Sequence, residues 1–244
     1  MERKNEQERD LYFSGDIHGE FRELVWKLCQ QYKIMDANVV ILGDVGIGFG
    51  KPEYYNQIFK KLSPKLEQNN ITLYLLAGNH DDRKYWEKED LLEEYPRFIF
   101  LKDHETIELS GRTIYPIMGA TSIDYKHRIN YNELMERVGS KKRIWWNTED
   151  IIKKYKDLPT KVDIIASHCA PLSFSPVIVR YPEEEEEVYY RDLMNRKYLD
   201  YIFQNIRHKY WIYGHYHTSI TGSLEGIVYK CLGISEIYQL RGEL

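Results

Sequence analysis

The sequence predicts an α/β domain built on a largely parallel sheet, and three observations predict it. Short runs of apolar residues alternate with stretches at helical spacing through the N-terminal third of the chain. Each apolar run ends on a glycine or a small residue that polar side chains follow. Hydrophobic residues make up 43% and charged residues 30% of the 244, an ordinary globular balance that excludes wholesale disorder and supports a real core.

The elements follow in order. Residues 1–10 are too polar to pack and are expected to form a flexible arm, with residues 11–244 as one domain. Leu11-Tyr12-Phe13-Ser14 reads as a buried strand. Phe21, Leu24, Val25, Leu28 and Tyr32 lie at helical spacing, so a helix covers residues 19–32. Val39–Leu42 is a second buried strand. Residues 52–68 are helical, with Pro52 at the start and a break expected at Ser63-Pro64. Ile71–Ala77 is a third strand. This β-α-β-α-β order is what argues for a parallel sheet. Beyond it, Phe98–Leu101, Thr106–Leu109 and Arg112–Ile117 read as successive strands, with Ser110-Gly111 as a hairpin turn. Residues 120–147 look irregular, and residues 148–157 read as a helix capped by Thr148. Val162–Ala166, Tyr210–Tyr213, Ile227–Cys231 and Ile234–Tyr238 are strands, and residues 188–207 a helix. The Glu183–Glu187 run reads as a solvated loop, and no Gly/Ser/Pro-rich linker divides the chain.

Composition narrows the function. With 34 Lys and Arg against 38 Asp and Glu, the net charge is −4, so no strongly basic field favours long nucleic acid. No apolar run approaches the roughly 18–20 residues of a membrane helix, and the polar N-terminus does not look like a signal peptide. Cys29, Cys169 and Cys231 are odd in number and far apart, which suits reduced thiols in the cytoplasm.

Chemistry-bearing residues gather at the carboxyl ends of five expected strands: Asp16 and His18, Asp44, Asn79 and His80, His168, and His215 with His217. Ligands of open α/β sheets bind at such ends. The preceding residues, Gly15, Gly43, Gly78, Ser167 and Gly214, are small enough to let backbone and ligand approach. A single histidine there is ordinarily a packed or capping residue. Five of the chain's eight histidines in these groups are harder to explain that way. Imidazoles with carboxylates suit Zn, Fe, Mn or Ni, and without converging thiolates a structural zinc is disfavoured. These eight side chains exceed what one ion takes from protein, whereas two ions about 3.5–4 Å apart that share a carboxylate would use seven of them. On a strand, His215 and His217 would share a face.

These blocks resemble the calcineurin-like metallophosphoesterases of bacteria and phages. The family pattern D-x-H, G-D, G-N-H-[DE], H and G-H-x-H stands here as Asp16-Ile17-His18, Gly43-Asp44, Gly78-Asn79-His80-Asp81, His168 and Gly214-His215-Tyr216-His217. The resemblance implies a metallo-dependent phosphatase fold of two packed mixed β-sheets flanked by helices. It implies that Asp16, His18 and His217 hold one divalent ion, that Asn79, His168 and His215 hold the other, and that Asp44 bridges them. Manganese is the first expectation, with Fe, Zn and Ni open. It further implies a phosphoric ester hydrolase in which a hydroxide shared by the ions attacks phosphorus. His80 would face the scissile phosphate as the catalytic residue.

A second, looser resemblance to bacterial and phage members runs from Gly119-Ala120-Thr121-Ser122-Ile123-Asp124 through Arg128 to Trp145-Trp146-Asn147-Thr148-Glu149. It suggests Arg128 at the rim of the site as a phosphate contact, since a guanidinium suits phosphate oxygens bidentately; a surface ion pair is the plain alternative. Trp145 and Trp146 read as packing, with a base-stacking platform as the alternative, and Lys141-Lys142-Arg143 as a solvated turn, with a contact for an anionic substrate as the alternative. Departures matter too. The Asp-Arg-Gly of the family's protein serine/threonine phosphatases is missing after Gly43-Asp44, and the Asn-His block ends in Asp81, not Glu. Asp81, Asp82 and a backbone carbonyl all stay open as the group that orients His80. The Gly43–Gly50 run lacks the Gly-Lys-[Ser/Thr] end of a P-loop and reads as a loop clear of the metals. Cys169, beside His168, reads as core packing.

The expected partner is a small phosphorylated substrate, a nucleotide among the candidates, with no membrane and no favour for nucleic acid. The alternatives are a phosphodiesterase or nuclease acting on nucleic acid or cyclic nucleotides, a protein phosphatase, and a non-catalytic scaffold. A scaffold of this family loses ligands, and this chain lacks none.

Overall fold

The strands expected from the sequence form two sheets, a division their order along the chain does not show. A computed structural model describes residues 3–87, 94–176 and 186–241. The first sheet takes β1 (Asp10–Ser14), β2 (Ala37–Leu42), β3 (Ile71–Leu76) and β4 (Phe98–Phe100), all parallel, with β11 (Ile237–Gln239) antiparallel on the β1 edge. The second sheet runs β5 (Ile107–Leu109), β6 (Arg112–Ile117), β7 (Ile164–Ser167), β8 (Tyr210–Tyr213), β10 (Ile227–Cys231) and β9 (Ile220–Leu224). Its centre is parallel and its two edge strands antiparallel.

Alternation along the strands explains the layering. Val39 and Ile41 of β2 and Leu73 and Leu75 of β3 pack toward α1 (Phe21–Trp26) and α2 (Pro52–Gln68). Their neighbours Val40, Leu42, Tyr74 and Leu76 meet Ile114, Ile164, Ala166 and Ile212 of the second sheet in a dry seam. Ile165, Trp211 and Tyr213 face the other way, onto Leu199 and Ile202 of α4 (Glu186–Asn205). Both faces of both sheets are covered, so the strands read as continuous apolar runs instead of alternating ones. The chain crosses from the first sheet to the second between β4 and β5. The Ser110-Gly111 hairpin turns as expected, with both residues at positive φ.

Four expectations are corrected. The arm at residues 1–10 is docked where it is described. Asn5 and Glu8 form a reciprocal cap on the 3-10 turn Glu6–Glu8. Asn38 and Asn70 donate to the carbonyls of Glu6 and Lys4 at 2.8 and 2.9 Å, while Gln7 bonds Glu108 and Gly111 across the other sheet. Polarity here feeds hydrogen bonds, not fraying. Helix α2 runs through Pro64 without a break, with Ser63 Oγ donating to the Phe59 carbonyl at 2.8 Å and Phe59 and Leu66 buried in the core. Residues 148–157 form no helix, because Glu149 and Asp150 spend their carboxylates on Ser122, Thr121, Asn195 and Arg191. The helix lies earlier, as α3 (Tyr125–Arg137), inside the stretch read as irregular; its mixed polar and aromatic face hides the period. Strand β9 was not expected either. Of the Glu183–Glu187 run, Glu186 and Glu187 open α4 and the rest lies outside the described residues.

The Gly43–Gly50 loop is shaped by Asp81. The Asp81 carboxylate accepts the N–H groups of Val45, Gly46, Ile47 and Gly78 at 2.7–2.9 Å. Burial, with the nearby Asp44 charge, raises its carboxyl to about 7, and the four donors are what make the anion tolerable there. Asp81→Asn is expected to cost about 3 kcal/mol or more, since an amide turns an N–H against donors that had a charged acceptor. Chemical denaturation checks this, and a loss below about 1 kcal/mol would mean the loop holds itself.

Candidate metal centre

The predicted residues converge at the carboxyl end of the seam. Asp16 follows β1, Asp44 follows β2 and Asn79 and His80 follow β3, while His168 follows β7 and His215 and His217 follow β8. Each sheet thus contributes to one cluster. Two glycines let the loops close on it: a Cβ at Gly78 would lie 2.1 Å from Asp44 Oδ1, and one at Gly214 would lie 2.3 Å from Asp16 Oδ1.

Ligand atoms of Asp16, His18, Asp44 and His217 all lie within 4.8 Å of one another, with the carboxylates buried and the imidazoles exposed. His217 Nε2 is 3.1 Å from Asp16 Oδ2 and 3.2 Å from His18 Nε2. Two imidazole nitrogens aimed at each other beside two buried carboxylates form a donor set that suits a cation. On the other side of Asp44, His168 Nε2 lies 3.3 Å from Asp44 Oδ1 and 2.9 Å from Asn79 Oδ1. The His215 ring packs on His168 at 4.9 Å between centroids. Asp44 therefore stands between two groups of donors.

The supports of these side chains are equally specific. His168 Nδ1 donates to the Leu42 carbonyl at 2.7 Å, which turns Nε2 inward. Asn79 donates to Ser122 Oγ at 2.8 Å, and Ser122 donates to Glu149 at 2.6 Å, so the amide presents its oxygen. Glu149 in turn takes Arg191 of α4 at 2.7 Å. Ser122 and Glu149 belonged to the second sequence pattern, but their work of aiming Asn79 was not legible there, and nothing marked the Leu42 carbonyl. His18, Asp44, His215 and His217 all have positive φ, between 44° and 68°. Such backbone is costly for non-glycine residues and concentrates at functional sites. It also corrects one expectation: His215 and His217 sit in a loop, not on a strand, and do not share a face. His217 meets Asp16 and His18, while His215 meets His168.

His80 lies beside this cluster. Its N–H donates to Asp44 Oδ1 at 2.9 Å and its Nδ1 is 3.7 Å from Asp44 Oδ2. Asp81 and Asp82 do not orient the ring: the first holds the glycine loop and the second caps Lys84. The group in contact is Arg128, which touches both ring nitrogens and forms an ion pair with Asp124 at 2.8 Å. Arg128 is buried instead of lying at an exposed rim, and also donates to the Ile144 carbonyl at 3.1 Å. Trp146 is buried against Phe49, as packing predicts. The Cys169 thiol points into the core, 3.3 Å from the Tyr216 hydroxyl. A cavity of about 420 Å³ opens over Asp44, Asn79 and His80, walled by Ser122, Asp124 and Asp192.

Charges follow from this packing. Burial works to raise Asp44, but His168 and His80 outweigh it and hold the carboxyl far below the usual range. Burial disfavours a proton on His168, yet the facing Asp44 raises it to about 9. Burial lowers His215 to about 3 and, with Arg128 adding to it, His80 to about 4. The chelated protein is therefore expected to be most stable near pH 6.5. Stability from His168 is complete below its unfolded value of about 6.5 and is lost as the pH rises through about 9. Stability from neutral His215 and His80 is complete above about 6.5 and is lost as the pH falls toward about 4 and below. Thermal melts in a chelator across this range check it; a profile with no loss between pH 6.5 and 9 would contradict the His168–Asp44 pairing.

The cluster at the strand ends of this two-sheet, helix-flanked α/β fold is a group that could hold a metal ion. A family model for calcineurin-like phosphoesterases matches residues 10–219. The chain belongs to the calcineurin-like phosphoesterase family. The UPF0046 protein T07D4.2 of Caenorhabditis elegans is 24% identical over 234 residues, which cover 94% of this chain and 49% of that protein. The chain thus spans about half the length of this curated relative. Among solved structures, the phosphopantetheinyl hydrolase PptH from Mycobacterium tuberculosis is similar at a TM-score of 0.49 and 13% identity, over 98% of each chain. GAP50, the anchor in the inner membrane complex of Plasmodium, is similar at 0.40 and 13% identity, over 92% of this chain and 72% of that one. Among the described residues no helix is long and apolar enough to cross a membrane.

Proposed function

We propose that this chain is a phosphoesterase that works with two divalent metal ions, manganese first among them, on a small phosphorylated substrate. The observation that carries the reading is the shared carboxylate: Asp44 lies within 4.8 Å of the Asp16–His18–His217 donors and also faces His168, which in turn meets Asn79. Asp16, His18 and His217 would hold one ion, Asn79, His168 and His215 the other, and Asp44 both. When bound, the ions supply an acidified water and neutralise phosphate oxygens.

This chain's own residues do the rest. As its bond to phosphorus breaks, the leaving oxygen must gain a hydrogen bond or a proton. His80, at the cavity wall and neutral near pH 7, would give it a hydrogen bond from a ring N–H. Arg128 keeps the ring in place and adds positive charge where the phosphate oxygens develop theirs. The cavity of about 420 Å³ suits one compact group beside the phosphate. Three buried free thiols support a reducing, cytoplasmic setting.

Purified protein with Mn²⁺, assayed side by side on a chromogenic phosphate monoester and its matching diester, tests this. Turnover of the monoester above the diester supports a phosphomonoesterase, and the reverse a phosphodiesterase. Activity on neither with Mn²⁺, Fe²⁺, Ni²⁺ or Zn²⁺ would overturn the reading in favour of a non-catalytic scaffold.

A further inference from the structure

The Lys141-Lys142-Arg143 run, expected to be an isolated solvated turn, is not isolated. Lys84, from the 3-10 turn Arg83–Tyr85, lines a cavity of about 380 Å³ together with Arg143 and Trp145. Lys51, from the loop before α2, lines another of about 440 Å³ with Lys141, Lys142 and Arg143. A third, of about 440 Å³, continues from the same three residues toward the end of α3. Arg143 lines all three, so they form one groove. The five cations are exposed, and no described acidic residue holds any of them in an ion pair. Two acids lie in the groove, Asp82, which caps the Lys84 N–H at 3.2 Å, and Glu136. The local balance is thus strongly positive in a chain whose net charge is −4. Remote acids do not cancel it, because charges beyond about 8 Å are screened at physiological salt.

Aromatic rings stand beside the cations. Phe49 is 42% exposed and meets Trp146 edge to face at 5.1 Å, and Trp145 is half-buried in the same wall. Cations alone would suit any polyanion, but an exposed ring among them, Phe49, matches a ligand that carries both phosphates and unpaired rings. We propose that this groove binds single-stranded nucleic acid, its phosphates on Lys51, Lys84, Lys141, Lys142 and Arg143 and a base on Phe49. A duplex hides its base faces and fits the groove less well. The groove also adjoins the centre: Arg143 precedes Ile144, whose carbonyl takes the Arg128 guanidinium that touches His80. Binding here goes beyond the phosphoesterase reading and does not depend on it.

Fluorescence anisotropy of a labelled single-stranded oligonucleotide with the full chain, in a chelator so that no cleavage intrudes, tests the proposal. Affinity is expected to fall with salt at a log–log slope of about −0.7 per phosphate engaged. K141E/K142E is expected to weaken binding at least about tenfold, and Phe49→Ala about five- to a hundredfold, the range of one lost stacking contact. K60E/K61E, the same change of charge on the exposed side of α2, is expected to have far less effect. Absence of binding at low salt, equal losses in K60E/K61E and K141E/K142E, or equal affinity for a duplex would each overturn it. Because no turnover is read, failure here leaves the ester assay above untouched.

Discussion

Replacing His80 with alanine is expected to lower turnover about 10²–10⁴-fold, the usual contribution of a positioned acid or base, while leaving metal content unchanged. The ring lies against the Arg128 guanidinium, whose positive charge opposes a cation at the same nitrogens. Its backbone N–H, which holds Asp44 Oδ1 at 2.9 Å, survives the substitution, so the shared carboxylate keeps its aim. Elemental analysis and kcat, measured on the same preparation, check this. A loss of metal in step with activity would make His80 a ligand and remove it from the leaving-group side.

Asp44→Asn is expected to do the opposite, taking metal and activity together. Its carboxylate is the group that stands between both sets of donors, and its charge is what holds the proton on His168. Asparagine is nearly isosteric and tolerates the positive φ of 44° found here, so the fold should persist. Apparent metal affinity is expected to drop by more than about 100-fold, beyond the range of an outer-sphere residue. Isothermal titration with Mn²⁺, beside a melting curve in chelator, separates lost ligation from lost folding. Full metal binding with activity gone would mean that Asp44 acts on the substrate and not on the ions.

The sequence made the parallel core of both sheets legible because β2, β3, β7 and β8 are short, largely apolar and lead into small residues. It did not separate the sheets. Val39 and Val40 look alike as residues, yet one faces α2 and the other faces the second sheet. The candidate ligands were legible for a related reason: a strand end forces polar residues into fixed blocks. What holds them was not. Asp81 reads as the tail of the Asn-His block, and only the folded loop shows that four amides depend on it. Arg128 reads as an exposed base because α3 carries too little apolar period to be seen, and a helix was expected instead at 148–157, where tertiary bonds to α4 override local preference.

The position of the centre across the seam has a consequence for how the molecule would come apart. Asp16, Asp44 and Asn79 hang from one sheet, and His168, His215 and His217 from the other. Any ion held among them would act as a rivet through two layers whose seam is mainly apolar. Ligation would then lower the free energy of the native state alone, by mass action. The lifetime of the polypeptide in a proteolytic environment would then track the supply of the ion.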